Sequence, residues 1–272
     1  MQNQIKRYKV QSPLLKDYIK FFWELRIDHA QLNHKLLPQR NINIRINLSD
    51  TPHYILQNNQ ERILEDVYFL GLQSQFTDAY LKFNGKVNVM GICFQPDGLY
   101  PFLKTPLSEF RNLILGADEI GFKTVMKISN KLKETNKTID RLIILENELI
   151  SLLDDSFKPP DNFRLIFKSF RQDNSLSITE FCRQNNIGLR QMERRYNRYV
   201  GLSASSYNTL NRFHGSLNQL LNSGYSKLSD LAYVNEYFDQ THFIKEFKRF
   251  TGETPKNFVN QKNSILQIGK LT

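Results

Sequence analysis

Two cysteines in 272 residues are too few for a disulfide framework. Cys93 sits in a strand-like run and Cys182 on the inward edge of a helix, so both read as buried thiols of a reducing cytoplasm. The five histidines do not assemble into a metal cage either. His29 and His34 are five apart in a loop-like segment and His53 stands alone, which reads as surface or singly hydrogen-bonded imidazoles. No glycine-rich loop is present to cradle a phosphate. A nucleophilic Cys93 would need a base and an orienting group, and the sequence identifies neither. No apolar run approaches the length of a membrane span or a signal-peptide core, and the start, Met1-Gln2-Asn3-Gln4-Ile5-Lys6-Arg7, is polar. The expectation is a cytoplasmic chain with no membrane partner, no catalytic residue, no metal and no cofactor. An enzyme, metal-dependent or otherwise, in the first half stays the rival class.

Cationic charge is abundant and unevenly spread. The chain carries a formal +10. Residues 161–272 hold 16 Lys and Arg against 9 Asp and Glu, and residues 1–160 hold 21 against 18. That asymmetry suits a polyanion, because cations that neutralise phosphates release condensed counterions. A solvated basic surface would look the same by count alone.

A repeat decides between the two. Met192, Tyr196 and Tyr199 fall at the i, i+4, i+7 spacing of one helical stripe, which turns Arg190, Arg194 and Asn197 to the opposite side with Arg198 on the flank. A shift of 51 residues returns the pattern, with Phe243, Phe247 and Phe250 as the stripe, Thr241, Lys245 and Lys248 opposite, and Arg249 flanking. Each of these helices follows a shorter one across a polar break: Ser177 to Gly188 in the first copy, Leu228 to Tyr237 in the second, where Asp239 can cap the helix that follows. The second break has one extra residue.

The text around these helices (S-I-T-E-F-C-R, M-E-R-R-Y, Y-V-G-L-S, then L-S-D-L-A-Y and F-D-Q-T-H-F-I-K-E-F-K-R-F-T-G-E-T-P) resembles the DNA-binding domain of AraC-type transcription regulators over Ser177 to Asn260. The resemblance implies an all-α domain with two helix-turn-helix motifs and double-stranded DNA as partner. It also implies base reading by Arg190, Glu193 and Arg194 on the first recognition helix and by Gln240, Thr241 and Lys245 on the second. A guanidinium suits guanine, where it contacts O6 and N7 together. Arg198, Lys248 and Arg249 read as phosphate anchors, and His242 as a phosphate-contacting or structural residue. Two features depart from the family pattern. Glu236 stands where glycine is usual, next to Tyr237 in place of Phe, which opens the way to an altered second turn. Gly215 in the middle of the connecting helix from Ser203 to Asn222 predicts a softer connector.

A polar stretch with a proline pair, Asp154 to Asp161, marks a domain boundary, giving domains 1–156 and 161–272. Beyond it Phe163, Ile166, Phe167 and Phe170 predict an amphipathic helix. The first domain reads as β-rich, sandwich or barrel-like, followed by helices, so the whole chain is α+β. Ile42, Ile44, Ile46 and Leu48 alternate with Asn41, Asn43, Arg45 and Asn47, a strand with one buried face. A second strand runs from Val87 to Phe94. Helical periodicity follows through Phe110, Leu113 and Ile114, and again from Ile139 to Leu153. L-L-P-Q-R, F-L-G-L-Q-S-Q and G-I-C-F-Q-P-D-G-L-Y-P-F-L more weakly resemble the N-terminal domain of some AraC-type regulators. This implies a small effector or a homodimer contact there, and the transcription machinery as a partner. Trp23, Phe69, Tyr80, Phe83, Phe94 and Tyr100 are candidates to line a pocket, with core packing as the plainer reading of each. A protein-binding adaptor, with the four arginines between 190 and 198 as a solvated face, is a third class.

Overall fold

The computed structural model describes residues 5–153, 177–222 and 227–260. The expected boundary at Asp154–Asp161 and the helix expected at Phe163–Phe170 lie outside the described residues.

Among the described residues eight antiparallel strands form one sheet: β1 (Lys6–Tyr8), β2 (Ile19–Lys35), β3 (Asn43–Asn47), β4 (Tyr54–Gln57), β5 (Gln60–Ile63), β6 (Val67–Leu70), β7 (Ala79–Phe94) and β8 (Ile114–Gly116). The order is β1-β2-β7-β3-β6-β8, with β4 pairing β5 and the start of β7, Ala79 to Lys82. Long β2 and β7 pair along nearly their whole length, with a register shift between Ile27 and Ala30 that bends the ribbon. One apolar cluster is drawn from strand residues and their immediate neighbours, among them Trp23, Ile55, Tyr68, Leu81 and Phe83. The sheet therefore curls over one of its own faces. The other face, with Ile42, Ile44 and Ile46, packs against helices.

Three expectations are corrected. The alternation in β3 predicts one buried face, yet all five residues from Asn43 to Asn47 are buried. Its polar side, Asn43, Arg45 and Asn47, lies in register with Cys93, Gly91 and Val89 of β7 and so faces the curled interior. A pattern of alternating polarity distinguishes two faces but not water from a polar interior. Helical periodicity after Pro106 yields only a 3-10 turn at Leu107–Phe110, because Ile114 joins β6 as the start of β8. Short α1 (Tyr100–Leu103) precedes that turn, and α2 (Lys123–Lys133) and α3 (Thr138–Leu152) follow it. His29 and His34 both lie on β2 rather than in a loop.

Among the described residues the second half is helical: α4 (Ile178–Gln184), α5 (Leu189–Tyr199), α6 (Ala204–Asn222), α7 (Leu228–Val234), α8 (Gln240–Thr251) and α9 (Pro255–Asn260). Met192, Tyr196, Phe213, Phe243 and Phe247 join the same continuous apolar cluster as Ile44 and Phe94 of the sheet. The two halves thus share a core face. Among the described residues no helix is long and apolar enough to cross a membrane.

Candidate nucleic-acid interface

Each helix pair is fixed by local chemistry. Ser177 caps α4, its hydroxyl accepting from the Glu180 amide at 3.1 Å, and Asp239 caps α8, accepting from the His242 amide at 2.6 Å. In the first turn the Asn185 amide donates to Phe181 O and the Ile187 amide to Cys182 O; fifty residues on, the Asn235 amide donates to Leu231 O and the Tyr237 amide to Ala232 O. Even the side chains agree, Asn185 Nδ2 reaching Phe181 O at 2.9 Å and Asn235 Nδ2 reaching Leu231 O at 2.8 Å. Asn186 and Glu236 occupy the same left-handed position, at φ 52° and 58°. Glu236 therefore does not alter the turn; it adopts the glycine-like conformation and bears the strain.

The connecting helix α6 runs unbroken through Gly215. A Cβ at Gly215 would stand 2.8 Å from Asn235 Oδ1, so this glycine admits the second turn against α6. Asn235 Nδ2 also holds Gln219 Oε1 of the same helix at 2.7 Å. Arg212 of α6 pairs through Nε and a terminal nitrogen with the buried Glu246 of α8 and lies over the Tyr237 ring. The connector is pinned at this point.

Met192, Tyr196, Phe243, Phe247 and Phe250 are buried, and Tyr199 is half-buried. The opposite faces are open: Arg190, Arg194, Gln240, Thr241 and Lys245 are all exposed. Among the described residues no side-chain hydrogen bond or ion pair engages any of these five. Glu193 differs, since its carboxylate accepts from the Ala204 amide at 3.2 Å and so caps the start of α6. Of the other cations, Lys248 and Arg249 are exposed, Arg249 lying 4.5 Å over the Phe250 ring. His242 accepts from the Phe238 amide at 3.4 Å and lies 3.8 Å from Glu246. Arg198 is exposed but donates from Nε to the Tyr100 hydroxyl at 2.8 Å, in the first domain.

Both recognition helices end on the sheet domain, at equivalent places. Gly201 and Gly252, 51 residues apart, have φ of 91° and 77°. A Cβ on Gly201 would meet Leu107 O at 2.7 Å, and one on Gly252 would meet the Phe76 ring at 2.7 Å. Around the first contact, the Tyr199 ring meets Tyr100 edge-on at 4.8 Å. Around the second, the Phe76 amide donates to Arg249 O at 3.0 Å and Lys35 pairs with Glu253. Between them, buried His214 of α6 donates from Nε2 to Pro38 O at 2.8 Å. Burial, with Arg40 and Lys20 nearby, lowers its pKa to about 3 and keeps the imidazole neutral.

The curled interior of the sheet holds polar residues that sequence reasoning did not single out. Trp23, Gly91, Arg45 and Tyr68 lie in one cross-strand row. Gly91 is needed there because the Trp23 indole occupies the place of a Cβ. Arg45 is 1% exposed, and neither terminal guanidinium nitrogen has a hydrogen-bond partner among the described residues. The Trp23 and Tyr68 rings each lie 5.9 Å from Cζ, contacts worth up to about 2 kcal/mol apiece when desolvated. Burying the ion itself costs several kcal/mol, so the rings offset only part of it. Beside it, burial lowers His34 to about 3 and His53 to about 4, with Arg45 pushing the same way. Of the six aromatic candidates for a pocket only Trp23 and Phe83 face this interior; Phe69, Phe94 and Tyr100 belong to the opposite cluster. Cys93 and Cys182 are buried thiols, and burial pushes the Cys93 thiol up to about 12. Among the described residues no group of three His, Cys, Asp or Glu could hold a metal.

Two family models match this chain: one described as Helix-turn-helix domain over residues 181–261, and one described as Domain of unknown function (DUF6597) over residues 11–115. No curated protein matches. Among solved structures, ToxT from Vibrio cholerae O395 is similar at 12% identity and TM-score 0.44, over 90% of this chain and 98% of its own. A DNA-binding transcriptional dual regulator from Escherichia coli K-12 is similar at 16% identity and TM-score 0.32, over 40% and 97%. The AraC-like transcriptional activator CuxR is similar at 12% identity and TM-score 0.31, over 75% and 79%. The C-terminal part of this chain is a helix-turn-helix domain of the AraC type.

Proposed function

We propose that this protein is a sequence-specific DNA-binding transcription regulator whose sheet domain senses a small effector or dimerises, and so sets the pose of two recognition helices. One observation carries the reading: both copies of the repeat present an exposed polar or cationic face at matching positions, Arg190 and Arg194 in one and Thr241 and Lys245 in the other, with exposed Gln240 beside them. A solvated face needs no such duplication. Arg190 and Arg194 suit guanine edges; Gln240, Thr241 and Lys245 offer the second helix shorter and more varied contacts. Lys248, Arg249, His242 and Arg198 would meet phosphates, Arg198 only after leaving Tyr100. Glu193, held at Ala204, would reach a cytosine amino group with its remaining oxygen.

Effector control enters through the ends of the recognition helices, where Gly201 and Gly252 rest on the sheet domain. A shift in that domain would move both helices together. Recruitment of transcription machinery, and a homodimer, belong to the same proposal.

Selection of genomic fragments by the full-length protein, followed by footprinting, tests it. Two short protected elements about one helical turn apart are expected from each chain. Arg194→Ala should relax preference in one element and Lys245→Ala in the other, each costing about 1–3 kcal/mol on the selected site. A protein that enriches no sequence, or whose binding lacks salt dependence, would refute the reading.

A further inference from the structure

We infer that Phe238 is a further specificity-determining residue, whose ring covers the 5-methyl group of a thymine in the DNA element read by α8. The inference deepens the regulator reading above and rests on it. The two turns of the repeat match in their bonding as far as Ile187 and Tyr237, which are both 5% exposed and whose amides reach Cys182 O and Ala232 O. In the first copy the next residue, Gly188, already stands at the N-terminal cap of α5. In the second, Phe238 comes between Tyr237 and the cap Asp239. Phe238 is thus the extra residue of the second turn, and it is 92% exposed.

A single exposed apolar side chain is ordinary on a protein surface. The place of this one is not. It directly precedes the cap of a recognition helix, whose N-terminal residues are the ones that reach base edges. Exposed Gln240 and Thr241 follow it closely, and Lys245, Lys248 and Arg249 supply cations along the same helix. These polar and cationic neighbours favour DNA over a protein partner, whose contact surface would be apolar at its centre. The backbone is held on both sides of the ring. The Phe238 amide donates to His242 Nδ1 at 3.4 Å, and the Asp239 carboxylate accepts from the His242 amide at 2.6 Å. The position from which the ring projects is therefore set before DNA arrives, which lowers the ordering cost of the contact.

In the major groove thymine alone among the four bases offers a methyl group, and a Phe ring suits it. Gln suits adenine, through N6 and N7. The N-terminus of α8 thus joins an adenine reader to a thymine reader, where α5 has arginines suited to guanine. The element under α8 should contain an A·T step.

The test uses the full-length protein and the fragment it selects, with each thymine of the Lys245-dependent element replaced singly by deoxyuridine. That change removes the methyl group and leaves the base-pairing edge intact. In a competition shift assay, deoxyuridine at one or two positions should weaken wild-type binding roughly three- to fivefold, the worth of one buried methyl group. Phe238→Ala should lose the same factor on the thymine site and bind thymine and deoxyuridine equally. Its thermal midpoint should match that of wild type, because the side chain is exposed. Thymines of the Arg194-dependent element serve as the internal control, where the two proteins should respond alike. The inference alone is overturned if wild type binds deoxyuridine as well as thymine, if the preference survives in Phe238→Ala, or if Thr241→Ser abolishes it instead. A selected site with no Lys245-dependent element, or with no thymine in that element, overturns it as well. A protein that selects no sequence overturns the regulator reading and the inference together.

Discussion

At φ 58° Glu236 holds a conformation that costs an L-residue about 1–2 kcal/mol in the left-handed region. Asn186, its counterpart, is a residue type that tolerates it. Glu236→Gly should therefore raise stability by about 0.5–1 kcal/mol, the relief of strain exceeding the added freedom of the unfolded chain. Denaturant midpoints of the two proteins measure this, and an unchanged or lowered midpoint would mean that the turn carries no such strain. Three buried histidines make a second prediction. His34, His53 and His214 have folded-state values of about 3, 4 and 3, each below the ordinary value near 6.5. Between those limits the unfolded chain binds more protons than the folded one, so stability falls as pH falls. The contribution is full above about pH 6.5 and declines by about 1.4 kcal/mol per pH unit for each histidine below it. Urea unfolding at pH 7 and pH 5 reads the slope, and His214→Asn should reduce it by one proton. Equal stability at the two pH values would mean that these imidazoles accept protons in the fold.

Among the elements, the helices of the repeat were legible because their stripes repeat at helical spacing and their caps and breaks fall in the right order. The strand at β3 was equally legible as a strand. Its polar face was not legible as a buried one, because Asn43, Arg45 and Asn47 look solvated until β7 and the curl of the sheet cover them. The packing at Gly215 was not legible for the same reason: Asn235, twenty residues away, places a side-chain oxygen 2.8 Å from where a Cβ would stand. Long-range packing of this kind leaves no local period to detect. Sequence also offered no sign that Arg198 meets Tyr100 or that Gly201 and Gly252 rest on the first domain. Those two glycines permit a comparison. Gly201→Ala places a methyl 2.7 Å from the backbone oxygen of Leu107, which cannot step aside, whereas Gly252→Ala meets the end of the Phe76 side chain. Both carry left-handed strain, so each should destabilise by about 1–2 kcal/mol from that source. Gly201→Ala should cost at least about 1 kcal/mol more through the clash. Equal losses in thermal or chemical denaturation would show that the first contact yields as readily as the second.

On the scale of the whole molecule, the shared core and the contacts at Tyr100, Pro38 and Lys35 bind the DNA-reading half to the sheet domain. Of these, the Arg198–Tyr100 contact would compete with DNA if Arg198 serves as the proposed phosphate anchor, because the same guanidinium lies over the Tyr100 ring at 5.4 Å. Leaving the hydroxyl costs a hydrogen bond, worth about 0.5–1.5 kcal/mol net and more when a charge is involved. Tyr100→Phe removes that acceptor and keeps the ring. It should tighten binding to random-sequence DNA by roughly three- to tenfold, the equivalent of that hydrogen bond, and steepen the dependence of log affinity on log salt by up to about one phosphate. Arg198→Ala in the Tyr100→Phe background should cancel both gains, while thermal midpoints show whether either change disturbs the fold. If Tyr100→Phe leaves affinity and salt slope unchanged, Arg198 is either engaged with DNA regardless of the hydroxyl or never reaches it. Arg198→Ala in the otherwise wild-type chain then separates the two: a slope reduced by about one places the guanidinium on a phosphate, and an unchanged slope assigns it to domain packing alone.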